Sequence, residues 1–120
     1  VYTTALAIVG DQIVVVGNTR GSGGIYGEGA GSDMDGFVVK MNRFTGVRSV
    51  EGSVSSRRVM SSNQKDDWVT HICADPNDGT EFYIVGATMG YYEDSKQQPL
   101  TGSINPFIVK MNVDSLEPVW

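Results

Sequence analysis

One short phrase occurs twice in this chain and constrains its fold more than any other feature. FVVKMN at residues 37–42 returns as FIVKMN at residues 107–112, 70 residues later. A second phrase, IVVVGNTRG at 13–21, is echoed by FYIVGATMG at 82–90, 69 residues later. Two phrases in the same order at nearly the same spacing indicate an internal repeat.

The repeated unit is predicted to consist of β-strands. Apolar residues alternate or form runs of four or five, β-branched residues are common, and 15 of the 120 residues are glycine, which is typical of strands and turns. In the first unit we predict strands at 3–9, 12–18, 37–42 and 47–53. In the second we predict strands at 68–74, 81–88 and 105–112, with a fourth starting at 118.

Turns and loops separate these strands. Tight turns are expected at 10–11, 43–46, 75–79 and 113–116, where glycine, proline, asparagine or aspartate supplies the turn geometry. The glycine-rich segment 20–36 and the polar segment 90–104 are predicted to be long surface loops, because they carry too few apolar side chains to pack a core. The polar segment 55–67 is predicted to be a linker between units 1–54 and 68–120, the second of them incomplete.

We therefore predict an all-β fold made of four-stranded antiparallel blades of a β-propeller, about two in number. The repeat is longer than the ~40–50 residues of common propeller blades, and the excess lies in the linker and the long loops. Such repeats need at least ~3 units to close a core. We expect this segment to be part of a larger ring or assembly.

Short motifs in both units resemble the bacterial-type β-propeller repeat family known as SBBP. The second-strand phrase of that family is matched at 14–19 and 83–88, its third-strand phrase at 35–42, and its closing tryptophan at Val119-Trp120. Pro106 departs from the small residue expected before Phe107, and Arg48-Ser49-Val50 stands where a tryptophan is expected. The resemblance implies a propeller segment of a secreted or cell-surface protein, and it implies no catalytic residue.

Net charge and cysteine content narrow the possible partners. The formal net charge is −5, which argues against nucleic acid and against an anionic membrane surface as ligands. No apolar run approaches the ~20 residues of a membrane-spanning helix. Cys73 is the sole cysteine, so no disulfide forms within the segment, and we expect it to be a small buried side chain.

Three stretches resemble ligand-binding motifs, but each has a simpler interpretation. Asp75-x-Asn77-x-Gly79 begins like a calcium loop, but its glycine comes one position too early and no suitable glutamate follows, so a hairpin turn is favoured. Glu28, Ser32, Asp33 and Asp35 offer oxygen atoms for calcium, although a solvated acidic loop is the simpler interpretation. The glycine-rich stretch lacks the pattern of a phosphate loop.

Aromatic and titratable residues give the remaining candidates. His71 and Cys73 are two residues apart on one strand, where packing is favoured over a metal site or a nucleophile pair. Trp68 is predicted to be a core residue. We predict a loop contact site at Tyr91, Tyr92, Glu93 and Asp94, and neither a metal nor a cofactor site.

The sequence thus predicts a non-catalytic scaffold whose loops contact other subunits, further blades or a glycan, outside the cell or on its surface. One alternative is a propeller enzyme, a hydrolase or a quinoprotein-like oxidoreductase, with its active site on the ring axis. The two units share no acidic residue or histidine at equivalent strand ends, since His71 aligns with Ala5. Another alternative is assembly of copies through unpaired strand edges.

Overall fold

The computed structural model describes residues 2–20, 34–48, 56–59, 66–89 and 104–120. All regular structure in these ranges is β-strand, which confirms the predicted all-β class. The strands are β1 (Tyr2–Val9), β2 (Gln12–Arg20), β3 (Met34–Asn42), β4 (Ser56–Val59), β5 (Asp67–Ala74), β6 (Glu81–Thr88) and β7 (Asn105–Asn112).

The strands form two antiparallel sheets, one from each copy of the repeat. The first sheet has the order β1-β2-β3-β4 and the second β5-β6-β7, so neighbours along the chain are also neighbours in the sheet. Beyond β7 the chain turns back, and the Val119 amide donates to the Lys110 carbonyl at 2.7 Å. The backbone therefore begins to pair with β7 where the sequence predicts a fourth strand.

The fourth strand of the first unit differs from its prediction. Arg48 bridges to Met41, and pairing with β3 then resumes at β4, where Ser56 lies opposite Val39. β4 thus lies inside the segment 55–67, and the prediction of a linker is wrong at these four residues. Backbone hydrogen bonding to the edge of β3 needs no particular side chain, so a polar strand carries little sequence signal. Residues 49–53 of the predicted strand lie outside the described residues.

The two units match down to single hydrogen bonds in the turn after the third strand. The side-chain oxygen of Asn42 accepts from the amides of Phe44 and Thr45 at 2.9 and 3.1 Å. Asn112 accepts in the same way from Asp114 and Ser115 at 2.8 and 3.1 Å. These local bonds explain why both copies of the phrase end in asparagine.

Both units also contain a β-bulge near the start of the first strand. The register shifts at Thr4 in β1 and at Thr70 in β5. The Thr4 hydroxyl donates to the Val16 carbonyl at 3.3 Å, and the Thr70 hydroxyl donates to the Val85 carbonyl at 3.2 Å. The bulges set the alignment of the two units and confirm that His71 is equivalent to Ala5.

Strand pairing divides each sheet into two faces, because side chains alternate along a strand and paired residues share a face. Face A of the first sheet contains Ala5, Ala7, Val9, Val14, Val16, Asn18, Val38 and Lys40, and its face B contains Leu6, Ile8, Ile13, Val15, Phe37, Val39 and Met41. Face A of the second sheet contains His71, Cys73, Tyr83, Val85, Ile108 and Lys110, and its face B contains Val69, Ile72, Phe82, Ile84, Phe107, Val109 and Met111.

The core lies between face A of the first sheet and face B of the second. Val14, Val16 and Val38 on one side and Ile84 and Val109 on the other are fully buried in a single hydrophobic cluster. The two units therefore stack head to tail, with unlike faces in contact. Removal of these apolar side chains from water stabilises the contact between the sheets.

Candidate functional site

The predicted loop contact site lies outside the described residues. This applies to Tyr91, Tyr92, Glu93 and Asp94, and also to Glu28, Ser32 and Asp33 of the acidic loop. Asp35 is described, and the prediction of a solvated loop is wrong for it. It lies in β3 opposite Thr19 and is 3% exposed.

The bases of the two long connections lie at the same end of the stacked sheets. β2 ends at Arg20 and β3 begins at Met34, whose amide donates to the Asp66 carboxylate of the second unit at 2.7 Å. Asp67, the next residue, pairs with Thr88 at the end of β6. Both connections therefore start from one end of the molecule.

Asn18 ties the two sheets together at this end. Its side-chain oxygen accepts from the Val69 amide at 2.8 Å, and its nitrogen donates to the Val69 carbonyl at 3.2 Å. The Thr4 hydroxyl also donates to that carbonyl at 3.2 Å. Asn18 is only 2% exposed, so its amide satisfies buried backbone groups of the neighbouring sheet. Its counterpart in the second unit is Ala87, and this difference between repeats is the one sequence signal for its role.

Lys40 joins the sheets at the opposite end. Its ammonium donates to the carbonyls of Val113 and Asp114 at 2.8 and 2.5 Å. Burial lowers the pKa of Lys40 from its ordinary value, and the Asp114 charge partly opposes that shift. The ammonium thus closes the turn of the neighbouring unit.

Gly10 allows the hairpins of the two units to approach each other beside Lys40. A side chain on Gly10, which has a φ of +58°, would place its Cβ 2.8 Å from the Gly79 carbonyl oxygen. A cleft of about 270 Å³ opens next to this contact. It is lined by Val9, Gly10, Asp11, Gln12, Gly79, Thr80, Val113 and Asp114.

Face A of the second sheet carries a charged and aromatic cluster instead of an apolar core. The Lys110 ammonium lies 2.7 Å from a Glu81 oxygen and 3.3 Å from an Asp75 oxygen, and 5.4 Å from the centre of the Tyr83 ring. The Tyr83 and Trp120 rings are 6.2 Å apart at a tilt of 55°. We call Asp75, Glu81, Tyr83 and Lys110 the Lys110 cluster.

The charges of the Lys110 cluster stabilise one another. The hydrogen bond that the Lys110 ammonium donates to Glu81 is the largest cause that raises the pKa of Lys110. The hydrogen bond that it donates to Asp75 raises this pKa further, and burial opposes both effects. The pKa of Asp75 lies below its ordinary value, first because its carboxylate accepts from the Asn77 amide and then because of Lys110 and Tyr83. Two carboxylates and one ammonium give the cluster a net negative charge.

His71 and Cys73 lie on this same face, and both are exposed. The expectation that Cys73 is buried and that the pair packs in the core is therefore wrong. Their strand does pack, but through Val69 and Ile72 on its other face. Trp68 is half-buried, and its carbonyl oxygen would overlap a Cβ on Gly86, so the two backbones approach closely at this glycine.

The segment 75–79 forms a hairpin turn, as predicted. The Asp75 carboxylate accepts from the Asn77 amide at 2.9 Å, and the Asp78 carboxylate accepts from the Thr80 amide at 2.8 Å. Among the described residues no three His, Cys, Asp or Glu side chains are grouped so as to hold a metal ion. The same part of the chain contains no helix that could span a membrane.

The features that join the units, Asn18 and Lys40, and the Lys110 cluster were not identified from the sequence as sites. Each depends on which face of a sheet meets another, and strand patterns alone leave that open. Comparisons with protein-family models, with curated proteins and with solved structures found no match to this chain.

Proposed function

We propose that this chain is a non-catalytic scaffold: a segment of a β-propeller whose repeats stack as blades and whose long loops contact a protein or glycan partner. The observation that carries the proposal is the head-to-tail contact between face A of one unit and face B of the next. Contact between unlike faces leaves one face of each kind outside it, so contacts of this type can be repeated, as a ring of blades requires.

The position of the loop bases supports a contact surface at one end of the scaffold. Segments 21–33 and 90–103 both start from the end where Asn18 meets Val69. A rigid sheet stack that presents several loops side by side is a common arrangement for binding surfaces. A secreted or cell-surface location is part of the proposal and follows from the family resemblance alone.

The test replaces each loop, 21–33 or 90–103, by a glycine–serine linker of equal length. We expect far-UV circular dichroism and the urea midpoint to stay close to those of the unaltered chain, because the described core uses neither loop. Binding on glycan and protein microarrays should be lost in one or both variants. Retained binding in both variants would contradict the assignment of contacts to the loops.

An enzyme with an active site on the ring axis is the second candidate. It needs acidic or histidine side chains from equivalent positions of several units. In the alignment that the bulges define, the residue equivalent to His71 is Ala5, which cannot serve this purpose. The specific observation in its favour is the titratable Lys110 cluster on an open face, which we assign below to a different role.

A further inference from the structure

Face B of the first sheet is open along β1, where it exposes apolar side chains of the kind that are covered in the second sheet, whereas Phe37 and Val39 of β3 on the same face are buried. Its residues match those of the other face B in type at five equivalent positions, Leu6/Ile72, Val15/Ile84, Phe37/Phe107, Val39/Val109 and Met41/Met111. Ile84 is fully buried, whereas Leu6 is 63% exposed and Ile8 is 53% exposed. The exposed part, under β1, therefore has the chemistry of a surface that packs against a face A.

The only face A left open in the described residues belongs to the second sheet. It keeps apolar positions at Val85 and Ile108, and Ile108 is 37% exposed. Elsewhere it differs from the face A that packs internally, since Asp75 and Glu81 stand where the first unit has Val9 and Gln12. Lys110 pairs with both carboxylates and leaves the Lys110 cluster with a net negative charge, so a partner that also offers positive charge fits this face.

The first unit supplies that charge at the equivalent position. Inside the chain, Val9 and Gln12 line one cleft together with Val113. The counterpart of Val113 in the first unit is Arg43, which is exposed. If the open faces meet as the internal faces do, Arg43 lies beside Asp75 and Glu81. An apolar contact within the chain is thus replaced by a charge pair, and both halves of that pair are present in one sequence.

Other details of the internal contact can be repeated as well. Lys110 stands where Lys40 does, so its ammonium can reach the carbonyls of Arg43 and Phe44. Asn18 alone has no counterpart, since Ala87 cannot bond to the neighbouring backbone.

We propose that the chain associates with a second copy of itself, face A of the second sheet in one copy stacking on face B of the first sheet in the other. The contact is heterologous, so each dimer keeps one open face of each kind and growth continues until a ring closes or a filament forms. This inference goes beyond the proposed function, because it requires neither the loops nor a partner of another kind.

The experiment measures the mass of the complete 120-residue chain by sedimentation velocity over a wide concentration range. We expect the weight-average mass to rise with concentration above the 12.9 kDa of one chain. Arg43→Glu and Glu81→Arg should each weaken association at least about tenfold, since each places like charges together. Glu81 is chosen because Asp75 also closes a turn.

Charge restoration provides the decisive control. The double variant Arg43→Glu/Glu81→Arg keeps the net charge of the unaltered chain. It exchanges the acidic and basic partners at positions 43 and 81, so opposite charges again meet across the contact and association should return. An equimolar mixture of the two single variants should also associate. Leu6→Lys, at an exposed site that leaves the core intact, should abolish association.

Three results would overturn the proposal. They are a chain that stays at the mass of one copy at every concentration, association that survives Leu6→Lys, and single-variant losses that the double variant does not restore. Circular dichroism of each variant confirms that the strands are intact. Because both loops are retained, failure here leaves the loop-binding test of the proposed function unaffected.

Discussion

At the scale of single residues, the repeat is most informative where its two copies differ. Gly46 and Leu116 occupy the same turn position, with φ of +69° and +55°. Gly46 is exposed, whereas Leu116 is fully buried in the core between the sheets. Leucine at a left-handed position costs about 1–2 kcal/mol of backbone energy, and burial of its side chain offsets that cost.

This interpretation predicts an unusual order of substitutions at Leu116. Leu116→Ala should lower the free energy of unfolding by about 3 kcal/mol, because it loses the packing and keeps the strained backbone. Leu116→Gly should cost about 1 kcal/mol less, because glycine adopts positive φ freely. Urea unfolding measures the change in the free energy of unfolding for both variants.

Gly46→Ala isolates the backbone contribution, since no atom lies within 4 Å of the added carbon. It should cost about 1 kcal/mol. A Leu116→Gly variant that is less stable than Leu116→Ala would show that the left-handed conformation carries no strain.

The Lys110 cluster predicts a defined pH dependence. The pKa of Asp75 is lowered in the folded chain, so its contribution to stability is present above its unfolded value and is lost as the pH falls through the folded one. Lys110→Met should therefore destabilise the chain at neutral pH, and the difference should shrink in acid. Lys110→Arg, which keeps the charge, should show the same pH dependence of stability as the unaltered chain. A difference that is constant from neutral pH into acid would exclude the ion pairs as its cause.

At the scale of the elements, the contact between sheets relies on polar groups at its two ends and apolar groups between them. Asn18 pairs with the Val69 backbone at one end, and Lys40 pairs with the turn after β7 at the other. Apolar faces can slide over each other at little cost, whereas buried hydrogen bonds require one alignment. These two residues therefore fix how the sheets are aligned.

We predict that Asn18→Ala lowers the free energy of unfolding by about 2 kcal/mol, because it leaves the buried Val69 amide without an acceptor. Ala87→Asn, at the equivalent position on the open face, should change it by less than about 0.5 kcal/mol. Denaturant unfolding and amide exchange at Val69 are the measurements. Unchanged exchange protection at Val69 in the Asn18→Ala variant would contradict the role of Asn18.

The strands and turns were largely predictable from the sequence, whereas the contact between sheets was not. Alternating apolar residues and local turn bonds, such as those of Asn42 and Asn112, act over a few residues and recur in both copies. β4 escaped prediction because an edge strand pairs through its backbone. The exposure of His71 and Cys73 was not predicted, because the alternation of side chains along a strand separates two faces without indicating which face is covered.

At the scale of the whole molecule, the same contact explains the architecture and the proposed assembly. Face A of the first sheet packs on face B of the second, which leaves one face of each kind for a further contact. The loop bases at one end and the Lys40 turn at the other give the stack two different ends. In the proposed assembly the sheets stack in one direction, and the bases of both long connections lie along one side of the stack.

The stacking of unlike faces is the central claim, and methyl–methyl NOEs in the complete chain at low concentration test it most directly. We predict NOEs between the Val14, Val16 and Val38 methyls and those of Ile84 and Val109. The Leu6 and Ile8 methyls should show none to the second sheet. NOEs from Leu6 or Ile8 to Ile84 or Val109, with none from Val16 or Val38, would show that face B of the first sheet forms the core and would contradict the account.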